Sequence, residues 1–403
     1  MRRIYYGWWI LASSIAIMSL MGVALFGFPA YYPSFIEAFG WRRAQVLFGY
    51  TISQWAFGLM ALAWGAMADK RGVRRVLAAG TGCVALACLL FARTTALWQL
   101  YAIALVFGAG LSGMGYLSNQ ILLSRWFANR RGLAIGAINS AAAIGGVIAP
   151  VLNTFLILHL GWRGAMTSLG AISCALPFAL VLFVVREGPG QLGPAPQPQP
   201  DPLETLRQAL LTPMLWVVIG AVFFAAGTVG TTLQVLILYL RDSGFSPQTS
   251  AAALSLEFAV SLVGRLGFGA LSDRFSAARA GVVSFMLLGL SALLLFVVRV
   301  PGMLATFVIL HGLGHGALVS FFPLMLAELF GTKRDFGRLL AIGHLAYSGG
   351  LGAIPVIAGY AFDKAGTFGM GFLFNCVMTW LATAALVWLG TRRRRLEFKI
   401  ETT

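Results

Sequence analysis

Two strong charges sit where charge is expensive. Glu257 and Arg265 are the acidic and basic residues that lie well inside an apolar run of the chain, and both lie in the same run. A charged side chain in such a setting marks a pathway or a site by default. The guanidinium of Arg265 offers a fork of donors that matches the two oxygens of a carboxylate. Its first reading is therefore anion binding, and the competing reading is a structural arginine met by helix carbonyls. Glu257 lies eight residues earlier, about 12 Å along a helix axis, too far for a direct pair with Arg265. A carboxyl in apolar surroundings can carry a proton through a cycle, or serve as a hydrogen-bonded structural acid. His311 and His315 fall one helical turn apart in another run. Such a pair can ligate metal, but two more ligands are needed and none is evident, so proton relay or interhelical hydrogen bonding is the better reading. No nucleophile–base constellation is present, which argues against an enzyme. Cys83, Cys88, Cys174 and Cys376 lie in apolar runs without CxxC spacing and read as packing residues.

These residues must be held by elements that the composition already describes. Of 403 residues, 59% are hydrophobic and 10% charged, against roughly a quarter charged in a soluble protein. The bilayer must solvate most of the chain. The net charge of +16 does not indicate nucleic acid, because the basic residues occupy short gaps between apolar runs instead of one polar face. The first run extends past the length of a signal-peptide core without a small-residue cleavage site, so it reads as a retained span.

A helical span needs about twenty apolar residues. Such runs fall at 8–34, 46–68, 74–92, 97–124, 131–159, 164–186, 212–240, 249–271, 278–299, 301–329, 338–361 and 367–391. None alternates with period two, so a β-barrel is disfavoured and helices are expected. With both termini cytoplasmic, 21 of the 29 basic residues fall on the inner side and seven (Arg42, Arg43, Arg93, Arg163, Arg241, Arg299, Lys364) on the outer, a bias that orients the chain. The expected location is the cytoplasmic (inner) membrane. A Pro-rich stretch at 187–210 reads as an extended linker. It divides a bundle of six spans (1–186) from a second (211–391), with a basic tail at 392–403.

The halves repeat. Gly65-Ala-Met-Ala-Asp69-Lys70-Arg-Gly72-Val-Arg74 follows span 2, and Gly269-Ala-Leu-Ser-Asp273-Arg274 follows span 8. Two equivalent halves around a linker is the plan of alternating-access carriers. In the first copy Gly65 is expected to allow close helix approach, Asp69 to cap a helix or pair with an arginine, and Gly72 to permit a tight turn. In the second copy Ser276 replaces the turn glycine.

This loop resembles the signature of the major facilitator superfamily, and the resemblance covers essentially the whole chain. Tyr5-Tyr6-Gly7-Trp8-Trp9, the glycine-rich span 4 ending in Arg125-Trp126-Phe127, and Gly264-Arg265 in span 8 further resemble the monocarboxylate transporter family and its bacterial relatives, including the oxalate–formate exchanger branch. The resemblance implies twelve transmembrane helices in two pseudo-symmetric six-helix bundles, a cytoplasmic gate at Gly65, Asp69, Lys70, Gly72, Arg74, Asp273 and Arg274, and Arg265 as the substrate-carboxylate arginine. Departures are informative. The family's acid four residues before this arginine is replaced by Ser261, its lysine after Phe28-Pro29 by Ala30, and a second cation in span 11 by Ala341. One fixed positive charge suits one carboxylate, with His344 as a conditional second. Tyr116 and Asn119 match polar positions the family uses near its substrate, although Asn119 can equally bridge helices. Tyr31, Tyr32, Phe321, Phe322 and Tyr347 are candidate gates, each with a packing alternative. The expectation is a monomeric secondary transporter of a small monocarboxylate with proton symport, with Glu257, His311 and His315 as proton-coupling candidates and no cofactor or metal. The rival is a dicarboxylate/monocarboxylate exchanger, and a sensor or membrane-embedded enzyme stands further off.

Overall fold

The computed structural model describes residues 5–127, 131–188, 209–274, 277–330 and 336–401. It is helical throughout these residues, as expected where lipid cannot satisfy backbone donors and acceptors. We label the helices α1 (Gly7–Gly27), α2 (Tyr32–Phe39), α3 (Arg43–Arg71), α4 (Val73–Phe91), α5 (Leu97–Met114), α6 (Tyr116–Trp126), α7 (Arg131–Phe183), α8 (Pro213–Asp242), α9 (Pro247–Arg274), α10 (Ala277–Leu294), α11 (Met303–Phe330), α12 (Phe336–Ala365) and α13 (Gly369–Glu401). Among the described residues, 11 helical segments are long and apolar enough to cross a membrane. The 53-residue α7 is interrupted by Gly161 at φ 67°, ψ 166°. At 1.5 Å per residue it is about 80 Å long, enough for two crossings, which brings the count to twelve.

Departures from the expected runs have local causes. The first span does not continue straight to residue 34. Phe28–Tyr31, containing Pro29, tightens into a 3-10 turn before α2. The fourth span breaks at Gly115 between α5 and α6. The basic segment after residue 391 continues α13 as helix to Glu401. Most of the expected linker, residues 189–208, lies outside the described residues, as do Arg130, Ser276, Lys333 and Arg334.

The chain packs as two compact units: Met1–Gln197 with Ile237–Ser255, and Pro198–Leu236 with Leu256–Thr403. In the first, α1 crosses α7 at a pair of glycines. A Cβ on Gly22 would overlap the Ala142 carbonyl oxygen, and one on Gly145 the Ser19 carbonyl oxygen. Lipid tails supply no hydrophobic drive between helices, so such backbone contact is a principal source of cohesion. The same unit holds a buried aromatic cluster of Phe28, Tyr31, Tyr32, Phe35, Phe91 and Phe107. It also holds the ion pair Arg43–Asp242 (2.6 Å). In the second unit Gly350 seats against the Phe223 carbonyl, and Thr228 meets Thr379 at 2.6 Å.

Gly145→Val tests the α1–α7 crossing. It is expected to abolish the monodisperse peak of the detergent-solubilised protein in size-exclusion chromatography, whereas the same change at Gly136, which has no neighbour within 4 Å of its Cβ position, leaves it intact.

Candidate functional site

The α9 and α11 backbones approach closely in the second unit because glycines line their crossing. Gly312 and Gly316 of α11 have the small-xxx-small spacing that brings helices together. A Cβ on Gly312 would sit 2.8 Å from the Glu257 carbonyl oxygen. One on Gly316 would overlap the Ser261 carbonyl oxygen and lie 2.7 Å from the Arg265 amide nitrogen. On the facing helix, a Cβ on Gly264 would lie 2.7 Å from the Leu313 carbonyl oxygen.

That proximity assembles the polar cluster. Glu257 is fully buried, and its Oε1 lies 2.9 Å from Nδ1 of His311 and 2.9 Å from Nδ1 of His315. The acid and the two histidines, 54 and 58 residues apart in the chain, form one carboxylate–imidazole triad. Phe258 flanks His315 (5.9 Å between ring centres) and Phe307 flanks His311 (5.4 Å). Two positions remain open: Glu257 Oε2 and His311 Nε2 are buried with no hydrogen-bond partner among the described residues. Arg265, half-buried two turns along α9, interacts electrostatically with His315. Ser261, between them, is buried and donates to the Phe258 carbonyl at 2.8 Å, so its hydroxyl hydrogen is committed to its own helix. Both imidazoles address a single carboxylate oxygen. Among the described residues no three metal-ligating side chains converge on a metal position.

Other site expectations meet a packed interior. The Phe321 ring lies against Gly281 and edge-on to Phe285 at 5.7 Å, which makes it a core residue between α10 and α11. Phe322 packs on Gly343 and edge-on to His344 at 5.0 Å, and His344 is exposed. Tyr347 is half-buried. In the first unit Tyr31 and Tyr32, expected as gates, are fully buried, and the Tyr31 hydroxyl donates to Asn153 Oδ1 at 2.6 Å. Asn119 stitches the helix break: its Nδ2 donates to the Met114 and Gly115 carbonyls, both at 2.9 Å, while its Oδ1 is buried with no hydrogen-bond partner among the described residues. The bridging alternative thus describes its amide nitrogen. Tyr116, beside the same break, is half-buried.

The loop between α3 and α4 departs most from expectation. Gly72 makes the turn at φ 88°, ψ 152°. Gly65, however, has only the Leu117 side chain near, at 3.5 Å from its Cβ position, so it enforces no close approach. Asp69 and Lys70 are exposed, and Asp69 has no ion pair or hydrogen bond among the described residues. This end of α4 is held by Glu187, which sequence reasoning missed. Its Oε1 accepts the Arg74 backbone N–H at the start of α4 (3.0 Å), and its Oε2 pairs with Arg125 Nη1 (2.5 Å). Arg74 donates onward to the Val181 and Leu182 carbonyls. The Trp126 indole donates to the Arg186 carbonyl, Tyr6 to the Val184 carbonyl, and Tyr5 to the Trp126 carbonyl. A carboxylate at a helix start both caps it and meets its dipole. In the second unit Glu328 Oε2 accepts the Ala277 N–H at the start of α10 (2.7 Å) in the same manner. The available signal was a carboxylate directly after Arg186 at a span end, in a chain with only 13 acids. The side chains of Asp273 and Arg274 lie outside the described residues.

Twelve apolar crossings, paired helix-start carboxylates and a buried ionisable cluster define a polytopic membrane protein of carrier type. The family profile described as Major Facilitator Superfamily matches residues 12–298 and 223–403, and the chain belongs to that superfamily. It is 27% identical over 383 residues to monocarboxylate transporter 13 of Bos taurus, covering 91% of this chain and 85% of that protein. It is also 27% identical over 387 residues to the multidrug resistance protein MdtG of Serratia proteamaculans, covering 90% of each. Among solved structures it is similar to a bacterial homologue of the human lysosomal transporter Spinster in an inward-facing, occupied conformation. That match has TM-score 0.77, 15% identity, and covers 96% of this chain and 97% of the other, and it bears on fold alone.

Three substitutions test these assemblies. Glu187→Gln, which weakens a partly exposed pair, is expected to cost about 1 kcal/mol, read as a small drop in the thermal midpoint of the detergent-solubilised protein, whereas Asp69→Asn leaves the midpoint unchanged. Gly316→Val should lower that midpoint well beyond the effect of Glu187→Gln, because backbone and not a flexible side chain blocks the new methyls; an unshifted midpoint would show that α9 and α11 are not in backbone contact.

Proposed function

We propose that the chain is a secondary transporter that moves a small monocarboxylate together with a proton across the cytoplasmic membrane, with both termini inside and one chain as the working unit. The observation that carries this reading is the half-buried Arg265 on the membrane-spanning α9, on the same helix as the buried Glu257. A guanidinium cannot shed its charge in a protein, so a carrier that keeps one in its interior gains most from an anionic cargo. One permanent cation favours one carboxylate over two. The likeness to a protein named as a monocarboxylate transporter supports the same cargo class, as does the preference of the bidentate fork for planar carboxylate. Within this reading Arg265 fixes the carboxylate, and Tyr347 and His344, the partly or fully exposed members of the expected aromatic and basic set, contact the remainder of the cargo. The basic bias of the loops supports the orientation. An anion with its arginine carries little net charge, and an accompanying proton makes the cycle electroneutral.

The reading is tested by uptake into proteoliposomes across a panel of labelled monocarboxylates and dicarboxylates, with and without an inward proton gradient. Arg265→Ala is expected to reduce uptake by about 30-fold or more, the effect of losing at least ~2 kcal/mol with a buried charged hydrogen-bond partner. Arg265→Lys should restore only part of it, since a point charge lacks the fork. Uptake that survives Arg265→Ala overturns the site. Flux driven only by counter-substrate and indifferent to pH would establish the exchanger instead.

A further inference from the structure

The last helix outruns the membrane. The apolar crossing of α13 covers Gly369–Thr391, 23 residues. At 1.5 Å per residue it is about 34 Å long, against a hydrocarbon core of about 30 Å. The helix does not stop there but runs on to Glu401. The residues beyond the crossing open with Arg392-Arg393-Arg394-Arg395 and include Lys399, against two acids, Glu397 and Glu401. The length of the crossing thus sets four consecutive arginines at the depth of the phospholipid headgroups. Trp388, one turn before Arg392, is 45% exposed, as suits an aromatic ring at that interface. The same end of this unit carries other interfacial residues. Successive crossings alternate in direction, so α8, α10 and α12 start at the end where α13 finishes. Trp216 near the start of α8, Arg279 near the start of α10 and Arg338 near the start of α12 are all exposed.

This extension is poorly suited to stand alone in water as a helix. Residues three and four apart are neighbours on a helix surface, and like charges there repel. Arg392 and Arg395 are such a pair, as are Arg395 and Lys399, and Glu397 and Glu401. Glu397, four residues after Arg393 and three after Arg394, offsets only part of the repulsion. Four successive residues occupy positions over about 300° of the helix circumference, so the positive charge runs nearly all round this turn. The bias that orients the chain does not need it. Without these five cations the inner loops still hold more than twice the seven basic residues of the outer ones. The run therefore calls for a counter-charge at the level of the headgroups.

We infer that residues 392–399 form a binding collar for the headgroups of anionic phospholipids in the leaflet where α13 ends. Guanidinium groups pair their donors with two phosphate oxygens. An anionic leaflet attracts clusters of about four to eight Lys and Arg residues placed directly beside a transmembrane helix. The headgroups supply the counter-charge that the turn lacks, and so hold the extension helical. Free phosphate and a soluble acidic protein share part of this chemistry. The leaflet is favoured over both because the run begins at the last residue of the apolar crossing, where lipid phosphates stand at fixed depth. Lipid binding at this helix end requires nothing of the cargo, the proton or Arg265.

Hydrogen–deuterium exchange reads the extension directly. The whole chain is placed in nanodiscs of phosphatidylcholine alone, or of phosphatidylcholine mixed with phosphatidylglycerol. At low salt the backbone amides of 392–401 should exchange at least about 5-fold more slowly in the mixed discs, the effect of a single arginine at such a surface. High salt should shrink the difference, and amides inside the crossing should exchange alike in both. Replacing all four of Arg392, Arg393, Arg394 and Arg395 by glutamine should erase the difference. Replacing all four by lysine should keep part of it, since a point charge attracts without the fork. The salt series on the wild type decides the matter without any variant if the glutamine protein is not monodisperse. Inorganic phosphate and polyglutamate, each added to the phosphatidylcholine discs, should protect little. Protection by either equal to that from phosphatidylglycerol would assign the run to a free anion or an acidic protein and overturns the leaflet as occupant. Equal exchange in the two kinds of disc, a difference that salt does not reduce, or a difference that survives the glutamine replacements overturns the collar.

Discussion

Every charge in a membrane span must be matched nearby or be absent, and the rest of this molecule is arranged around that constraint. With 13 acids and 29 Lys and Arg residues in 403, the chain obeys mostly by absence. Where it does not, the matching is local. Glu257 is met on one oxygen by two imidazoles, and Arg265 shares its helix. The match needs α9 and α11 closer than ordinary side chains allow, and Gly264, Gly312 and Gly316 supply that distance. Packing and chemistry are thus one feature: the glycines that let the backbones touch stand beside the residues that carry charge.

The fold was legible because its signal is additive. Twenty apolar residues in a row need no knowledge of neighbours to read as a span, and the observed helices begin and end within a few residues of the runs. The charged members of the site were legible for the related reason that a charge in such a run is conspicuous. What could not be read was which side of each helix faces protein. These spans are apolar around most of their circumference, so no 3.6-residue stripe announces an inner face. Tyr31, Tyr32 and Phe321, named as gates with packing as the alternative, are buried in this conformation. Glu257 and the histidines were noticed separately and not as one cluster, because no periodicity links residues on different helices.

The signature loop was only partly legible for a different reason. Its Asp69 sits where a cap or an ion pair would be expected, yet the carboxylate that caps α4 comes from Glu187, more than a hundred residues on. A helix start needs an acceptor, not a particular residue. The two units meet this need with Glu187 and Glu328, which are not equivalent in the repeat.

The two carboxylate clusters show why similar ingredients yield different behaviour. Glu187 is paired with Arg125, and Glu257 with His311 and His315. Arginine stays charged at any pH a protein survives, so Arg125, as a fixed cation, holds Glu187. The pair also stands at helix ends, partly open to solvent, where screening limits its strength. Histidine can change charge within the physiological range, and its cluster is sealed from solvent. Guanidinium against imidazole, and a wet helix end against a dry helix crossing, are the physical differences between the two clusters.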